Sequence, residues 1–171
     1  MKVASFEAIV RALNEAQVRF IVVGGIAVIT HGYGRNTKDV DLVIRLEPTS
    51  IERTFRALSS LGYLPRVPIS AVQFSDPAQR ARWIAEKGMK VLNFHSDRHR
   101  ETPVDLFIIE PFDFETEYRE SLIHESAPGV PARIVRLPAL LAMKRAAGRG
   151  QDLADIDELN LLHGNPSSYD T

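Results

Sequence analysis

The apolar run Phe20-Ile-Val-Val23, broken off by Gly24-Gly25, constrains this chain more than any other feature. Arg19 to Val23 reads as a buried strand, and paired glycines at its end allow a sharp turn with backbone N–H groups left uncovered. A short helix from Ile26 to about His31 is expected next. Its N-terminus, with free donors and the positive end of its dipole, would then lie at the glycine turn and suit a phosphate. After thirteen intervening residues beyond Gly25 comes Asp39-Val-Asp41-Leu-Val-Ile44, a second strand-like run. Strand alternation puts Asp39 and Asp41 on one face, roughly 7 Å apart along the chain, and Val40, Leu42 and Ile44 on the other. Two converging carboxylates repel and raise a pKa unless a cation lies between them. All-oxygen ligands suit magnesium or manganese, ions that activate a hydroxyl and steady a departing phosphate.

The rest of the chain must support or complete that pair. At 171 residues, with 44% hydrophobic and 25% charged residues, it can bury a core as one globular domain, expected over 1–164 with a frayed tail at 165–171. No cysteine is present, which excludes disulfides, thiolate metal sites and a cysteine nucleophile. No apolar run nears the roughly 18 residues of a membrane span, so no membrane partner is expected and a cytoplasmic setting is the default. The net charge of −1 argues against a general nucleic-acid-coating protein. Yet Ala132 to Gln151 holds Arg133, Arg136, Lys144, Arg145 and Arg149 and no acid, a stretch that would serve a triphosphate or an RNA end, or form a solvated helix face.

Along the chain, Ser5 is placed to cap a first helix to about Ala16, with Phe6, Ile9, Val10 and Leu13 inward. A helix from Ile51 to Leu61 is expected to bury Ile51, Phe55, Leu58 and Leu61 and to close at Gly62. Tyr63 to Ser75, with Pro65 and Pro68, reads as a loop with a short edge strand. Asp76-Pro77 opens a helix to about Lys87, closed by Gly88, in which Trp83 and Ile84 are expected to bury. Lys90 to His95 and Pro103 to Ile109 read as strands of a hairpin turning over Ser96 to Thr102, which would bring Asp105 beside Asp39 and Asp41. Asp113 to Glu125 is open between a helix and an irregular lead-in. Val130 to Val135 reads as a strand, and Leu137-Pro138 opens a helix through about Ala147. Asp152 then caps a last helix, Leu153 to His163, with Leu153, Ile156, Leu159 and Leu162 as its apolar line.

Gly24-Gly25, Arg35-Asn-Thr37-Lys-Asp39-Val-Asp41, Val104-Asp105-Leu106 and the string from Leu137-Pro138 through Lys144 to Asp152-Leu-Ala-Asp155 together resemble the DNA polymerase β-like nucleotidyltransferase superfamily. The C-terminal string resembles its minimal bacterial branch, the AbiEii-like toxins of abortive-infection and toxin–antitoxin systems. The resemblance implies an α/β (α+β) fold: a small mixed β-sheet flanked by helices, with C-terminal helices. It also implies magnesium- or manganese-dependent transfer of an NMP from an NTP such as ATP to a hydroxyl acceptor, and often a cognate antitoxin. Carried over by position, Asp39, Asp41 and Asp105 would be the catalytic metal ligands, Asp105 also the base toward the acceptor. Gly24, Gly25, Arg35, Thr37 and Lys144 would hold the nucleotide's phosphates. Gly25 departs from the pattern, standing where many active transferases carry serine.

Other readings of these residues remain open. Arg35 and Thr37 also read as turn residues, Lys144 as a snorkelling side chain and Asp152 and Asp155 as first-turn acids of a helix. His95 and His99, with Asp97 between, suit a solvated turn better than a metal cluster. The acceptor is open among a tRNA 3′ end, a protein hydroxyl and a small molecule such as an aminoglycoside, with the basic stretch favouring RNA. A non-catalytic nucleotide- or partner-binding module of the same fold is the alternative function. Dinucleotide-binding and P-loop motifs are excluded, because neither G-x-G-x-x-G nor G-x-x-x-x-G-K-[ST] occurs.

Overall fold

The computed structural model describes residues 1–164, so the tail expected to fray lies outside the described residues. In chain order the elements are α1 (Val3–Glu15), β1 (Phe20–Val23), α2 (Gly24–Thr30), β2 (Val40–Ile44), α3 (Pro48–Ser60), β3 (Tyr63–Pro65), α4 (Ala71–Ser75) and α5 (Pro77–Lys87). There follow β4 (Val91–Ser96), β5 (Val104–Phe107), α6 (Phe114–Glu120), β6 (Leu122–Ala127), β7 (Val130–Ile134), α7 (Leu137–Ala147) and α8 (Gly150–His163). The strands form one mixed sheet in the order β3-β4-β5-β2-β1-β7-β6. Two neighbouring pairs, β2 with β5 and β1 with β7, are parallel. The mixed sheet flanked by helices is the expected fold class. No helix among the described residues is long and apolar enough to cross a membrane.

Burial explains the layering. In β1 all four residues are buried, and in β2 Leu42, Val43 and Ile44 are sealed as well, so both strands are central and covered on both faces. Helix α1 turns Phe6, Ile9, Val10 and Leu13 inward and packs against α3 and β7, while α2 lies against β1, β2 and α7. Over β5, β4 and β3 the two faces differ. Val104, Leu106, Leu92, Phe94, Ser96 and Tyr63 are buried on one face, whereas Asp105, Phe107, Val91 and Asn93 are half-buried and His95 and Leu64 exposed on the other. One half of one sheet face is therefore an open shelf, and Asp105 stands at its inner edge.

Several local expectations are corrected. Ser5 does not cap α1, which begins at Val3 after Lys2; the hydroxyl turns inward and meets His99 Nδ1 at 2.9 Å. Arg19 precedes β1 and grips Glu115 with both terminal nitrogens, at 2.8 and 2.7 Å. Helix α2 starts at Gly24 itself rather than at Ile26. Helix α3 starts at Pro48 and buries Thr54 and Ala57 beside Ile51 and Leu58, leaving Phe55 and Leu61 only partly covered. The stretch read as a loop contains α4, set by a reciprocal capping box between Ser70 and Gln73. Asp76 caps α5 as expected and Trp83 is buried, but Ile84 is 40% exposed. Asp113 to Glu125, left open by the sequence, divides into α6 and edge strand β6.

The last helix differs most from its periodicity. It begins at Gly150 after Arg149, and Asp152 sits in its first turn rather than at the cap. Leu153 and Leu162 are more than half exposed, and the inward face is Asp152, Asp155, Ile156 and Leu159. Two buried acids replace two leucines on that face because cations from outside the helix meet them.

Candidate functional site

The hairpin wager of the sequence holds. Strands β4 and β5 pair antiparallel, β5 pairs parallel with β2, and Asp41 and Asp105 are direct partners across the β2–β5 ladder. Paired residues on adjacent strands project to the same face, so the two carboxylates are neighbours at the inner edge of the open shelf. Asp39 lies one residue before β2 rather than within it, and its charge acts on both of the others.

The glycine bend packs directly against these acids. Gly24 adopts φ +63°, a left-handed conformation that favours glycine, and a Cβ there would overlap the carboxylate of Asp41. A Cβ on Gly25 would overlap the Thr37 side chain and come within 3.2 Å of an Arg35 terminal nitrogen. The Gly25 N–H lies near enough to the Asp41 carboxylate to favour its charged form.

Burial, then the charges of Asp105 and Asp39, push the Asp41 carboxyl up to about 7, against weaker opposition from the Gly25 N–H and Lys144. Burial also raises Asp105, with Asp39 adding to it, while the bond from Asn93 and the positive charges of Arg66 and Arg149 pull the other way. Asn93 Nδ2 donates to Asp105 Oδ1 at 2.5 Å, and Asn93 Oδ1 in turn accepts from Arg66 Nε. Among the described residues no three His, Asp or Glu side chains are already gathered closely enough to hold a cation. Asp41 is turned to the Gly25 N–H and Asp105 to Asn93. The donor set nevertheless fits a hard divalent ion: three carboxylates, no nitrogen or sulfur ligand, and mutual repulsion that an added cation would relieve.

The expected phosphate-binding cations occupy different roles. Arg35 reaches Asp155 on α8, its terminal nitrogen donating at 3.0 Å and its Nε 2.8 Å from the other oxygen but too oblique for a hydrogen bond. Lys144 is 5% exposed, with Nζ 2.6 Å from Asp155 and 3.2 Å from Asp152. Gln151 completes the contacts of Asp155 at 2.9 Å. Arg149 Nε binds Asp152 at 2.7 Å; burial raises the Asp152 carboxyl, but the bonds from Arg149 and Lys144 together outweigh it and leave it below its ordinary range. Thr37 lends its carbonyl to the Met1 ammonium at 2.9 Å.

The basic stretch is not a bare polyanion surface either. Arg133 donates to the Tyr118 carbonyl and lies over its ring, and Arg136 engages Glu117 and Glu120. His99 stacks on Tyr63, with ring centroids 5.5 Å apart, rather than forming a metal cluster with His95. His31 and His163 meet edge to face at 6.4 Å.

Sequence reasoning missed Asn93 and Arg66, and read Arg149 only as one member of the basic stretch. The signal for Asn93 was a polar residue in the alternation Val91-Leu-Asn93-Phe-His95, decisive only once the hairpin register faces it with Asp105. Compared with models of known families the chain matches none, and no curated protein sequence matches it.

Proposed function

We propose that this chain is a metal-dependent nucleotidyltransferase that moves an NMP from an NTP to a hydroxyl acceptor. The observation that carries the reading is the juxtaposition of Asp41 and Asp105 on paired strands, with Asp39 adjoining, at a glycine bend that opens onto an uncovered half of the sheet. In this reading Asp39, Asp41 and Asp105 hold Mg²⁺ or Mn²⁺, which supplies positive charge to the reacting phosphate and lowers the pKa of the attacking hydroxyl. Asp105, at the shelf edge, accepts the proton of the acceptor hydroxyl. The acceptor oxygen bonds to the α-phosphorus as the bond to the bridging oxygen breaks, and pyrophosphate departs with the electron pair. The AbiEii-like resemblance adds a toxin of a toxin–antitoxin pair, with a cognate antitoxin as partner and a tRNA or protein acceptor.

The chain's own side chains have definite tasks in that scheme. Gly24 must be glycine for the bend to press against Asp41, and Thr37 fills the space that a serine side chain at position 25 would need. Arg35 ties the loop before β2 to α8 and Lys144 ties α7 to α8, rather than either serving as a free phosphate contact. Arg149 has a side chain 78% exposed and is tied to Asp152 through Nε, and its charge is felt by both Asp41 and Asp105 from the C-terminal side.

The test is transfer of radiolabel from each α-labelled NTP in the presence of Mn²⁺ and cell RNA or protein. Asp41→Ala should abolish both label transfer and Mn²⁺ binding in a protein that remains folded; undiminished transfer by that variant overturns the proposal. A second reading, a nucleotide- or partner-binding module without turnover, draws on the engagement of Arg35 and Lys144 with Asp152 and Asp155. Calorimetric binding of ATP with Mg²⁺, with no label transferred to any acceptor, would favour it.

A further inference from the structure

Resting on the transferase reading, we propose that Asn93 and Arg66 are a positioning pair for Asp105. They hold one carboxylate oxygen so that the other is left for the reaction. Asn93 stands directly opposite Asp105 across the β4–β5 ladder, and its Nδ2 donates to Oδ1 at 2.5 Å. Oδ2 of Asp105 has no hydrogen bond among the described residues.

An asparagine amide can present either end, and here Arg66 makes the choice. Its Nε donates to Asn93 Oδ1, and its backbone N–H donates to the Asn93 carbonyl at 2.9 Å. A flipped amide would set a carbonyl against the carboxylate and an NH₂ against the guanidinium, both repulsive. Arg66 therefore fixes which end of Asn93 faces Asp105, and Asn93 fixes the rotation of Asp105. The terminal amino groups of Arg66 have no protein partner among the described residues, and the residue is exposed on the shelf side of the edge strand's exit.

Stability does not account for the arrangement. The β3–β4 pairing is made by backbone bonds from Tyr63 to Pro65, independent of the Arg66 head group. A single exposed side-chain bond adds little to such a ladder. What the pair supplies is direction at one of the three acids, in the way that outer hydrogen bonds orient the ligands of a metal site.

The test uses the full chain with three variants, Asn93→Ala, Asn93→Asp and Arg66→Lys, each checked for folding by thermal melting. Two readouts are taken: Mn²⁺ affinity without nucleotide, by electron paramagnetic resonance, and kcat and KM for label transfer. Asn93→Ala should lose about 10- to 100-fold in kcat or Mn²⁺ affinity with KM for the NTP little changed. Asn93→Asp, isosteric but presenting an acceptor to Asp105, should lose more than alanine. Arg66→Lys should resemble Asn93→Ala, because it keeps the charge but not the Nε–H that orients the amide. Parental kcat and Mn²⁺ affinity in Asn93→Asp overturn the proposal, as do parental values in Arg66→Lys. Asp105→Ala separates the two claims: if it loses Mn²⁺ binding and transfer while the Asn93 variants keep both parental Mn²⁺ affinity and parental kcat, the positioning pair falls and the transferase reading stands. If Asp105→Ala keeps both binding and transfer, both fall.

Discussion

Replacing Asp41 by asparagine should make the metal-free protein more stable at alkaline pH. The Asp41 carboxyl rises from 3.8 to about 7 on folding, so between those pH values the native state holds a proton that the unfolded chain has released. Its contribution is complete below the unfolded value and is lost as pH rises through the folded one. The rise spans about 3 pH units, worth about 4 kcal/mol at about 1.4 kcal/mol each, an upper limit that relaxation and water entry reduce. Asparagine has no proton to lose, can still present an oxygen to the Gly25 N–H, and turns an NH₂ rather than a charge toward its acidic neighbours. Urea unfolding in EDTA should therefore find Asp41→Asn about 2–4 kcal/mol above the parent at pH 8, with the difference shrinking toward zero near pH 4. Mn²⁺ at about 1,000 times Kd should close or reverse the gap, since it adds about 4.1 kcal/mol to a protein that binds and nothing to one that does not. A difference that stays constant from pH 4 to pH 8 would refute the account of Asp41 as a strained, burial-raised acid.

Other substitutions probe the frame around the site. Lys144→Met leaves Asp152 and Asp155 buried without their shared ammonium and should cost about 3–5 kcal/mol in denaturant titration, well beyond the cost of removing Arg149, whose side chain is mostly in solvent. Gly25→Ala drives a Cβ into Thr37 and should cost about 1–3 kcal/mol, read from the midpoint of thermal unfolding. Asp76→Ala removes the Oδ1 bond to the Ala78 N–H and should cost about 1 kcal/mol with label transfer unchanged, since α5 takes no part in the site.

Local chemistry made the centre of the molecule legible. A β-branched run ended by glycines, an Asp-x-Asp strand and a hairpin with a seven-residue turn together fix β1, β2, β4 and β5, and they put Asp105 beside Asp41. What stayed hidden depends on partners distant in sequence. Leucine periodicity turns Leu153 and Leu162 inward, yet the structure buries Asp152 and Asp155 on that face because Lys144 and Arg35 reach them. The basic run looked like an anion surface because its acids lie elsewhere: Glu117 and Glu120 on α6, Asp152 and Asp155 on α8. Helix α4 is one short turn fixed by a Ser70–Gln73 box, and β6 exposes most of its residues, so neither carries a hydrophobic period long enough to read.

The C-terminal helices explain both why the acids stay apart and why they stay in place. Lys144 lies close enough for its field to lower the Asp41 carboxyl, but it is the smallest of the named influences there, while its Nζ contacts two other carboxylates directly. A charge shared in that way cannot also neutralise Asp39, Asp41 and Asp105, so an uncompensated excess of negative charge remains at the glycine bend. The same cluster holds the segment between α2 and β2, which forms no helix or strand. Arg35 anchors it to Asp155, and His163 bonds the His31 carbonyl at 2.7 Å. Thr37 and Asp39 are carried on that segment. Loosening the anchor with Asp155→Asn should therefore reach the acids through the loop, weakening Mn²⁺ binding even though residue 155 is bonded to Lys144, Arg35 and Gln151 rather than to the site itself. Unchanged Mn²⁺ affinity in a folded Asp155→Asn protein would separate the buried cluster from the acids and leave it a purely structural tie.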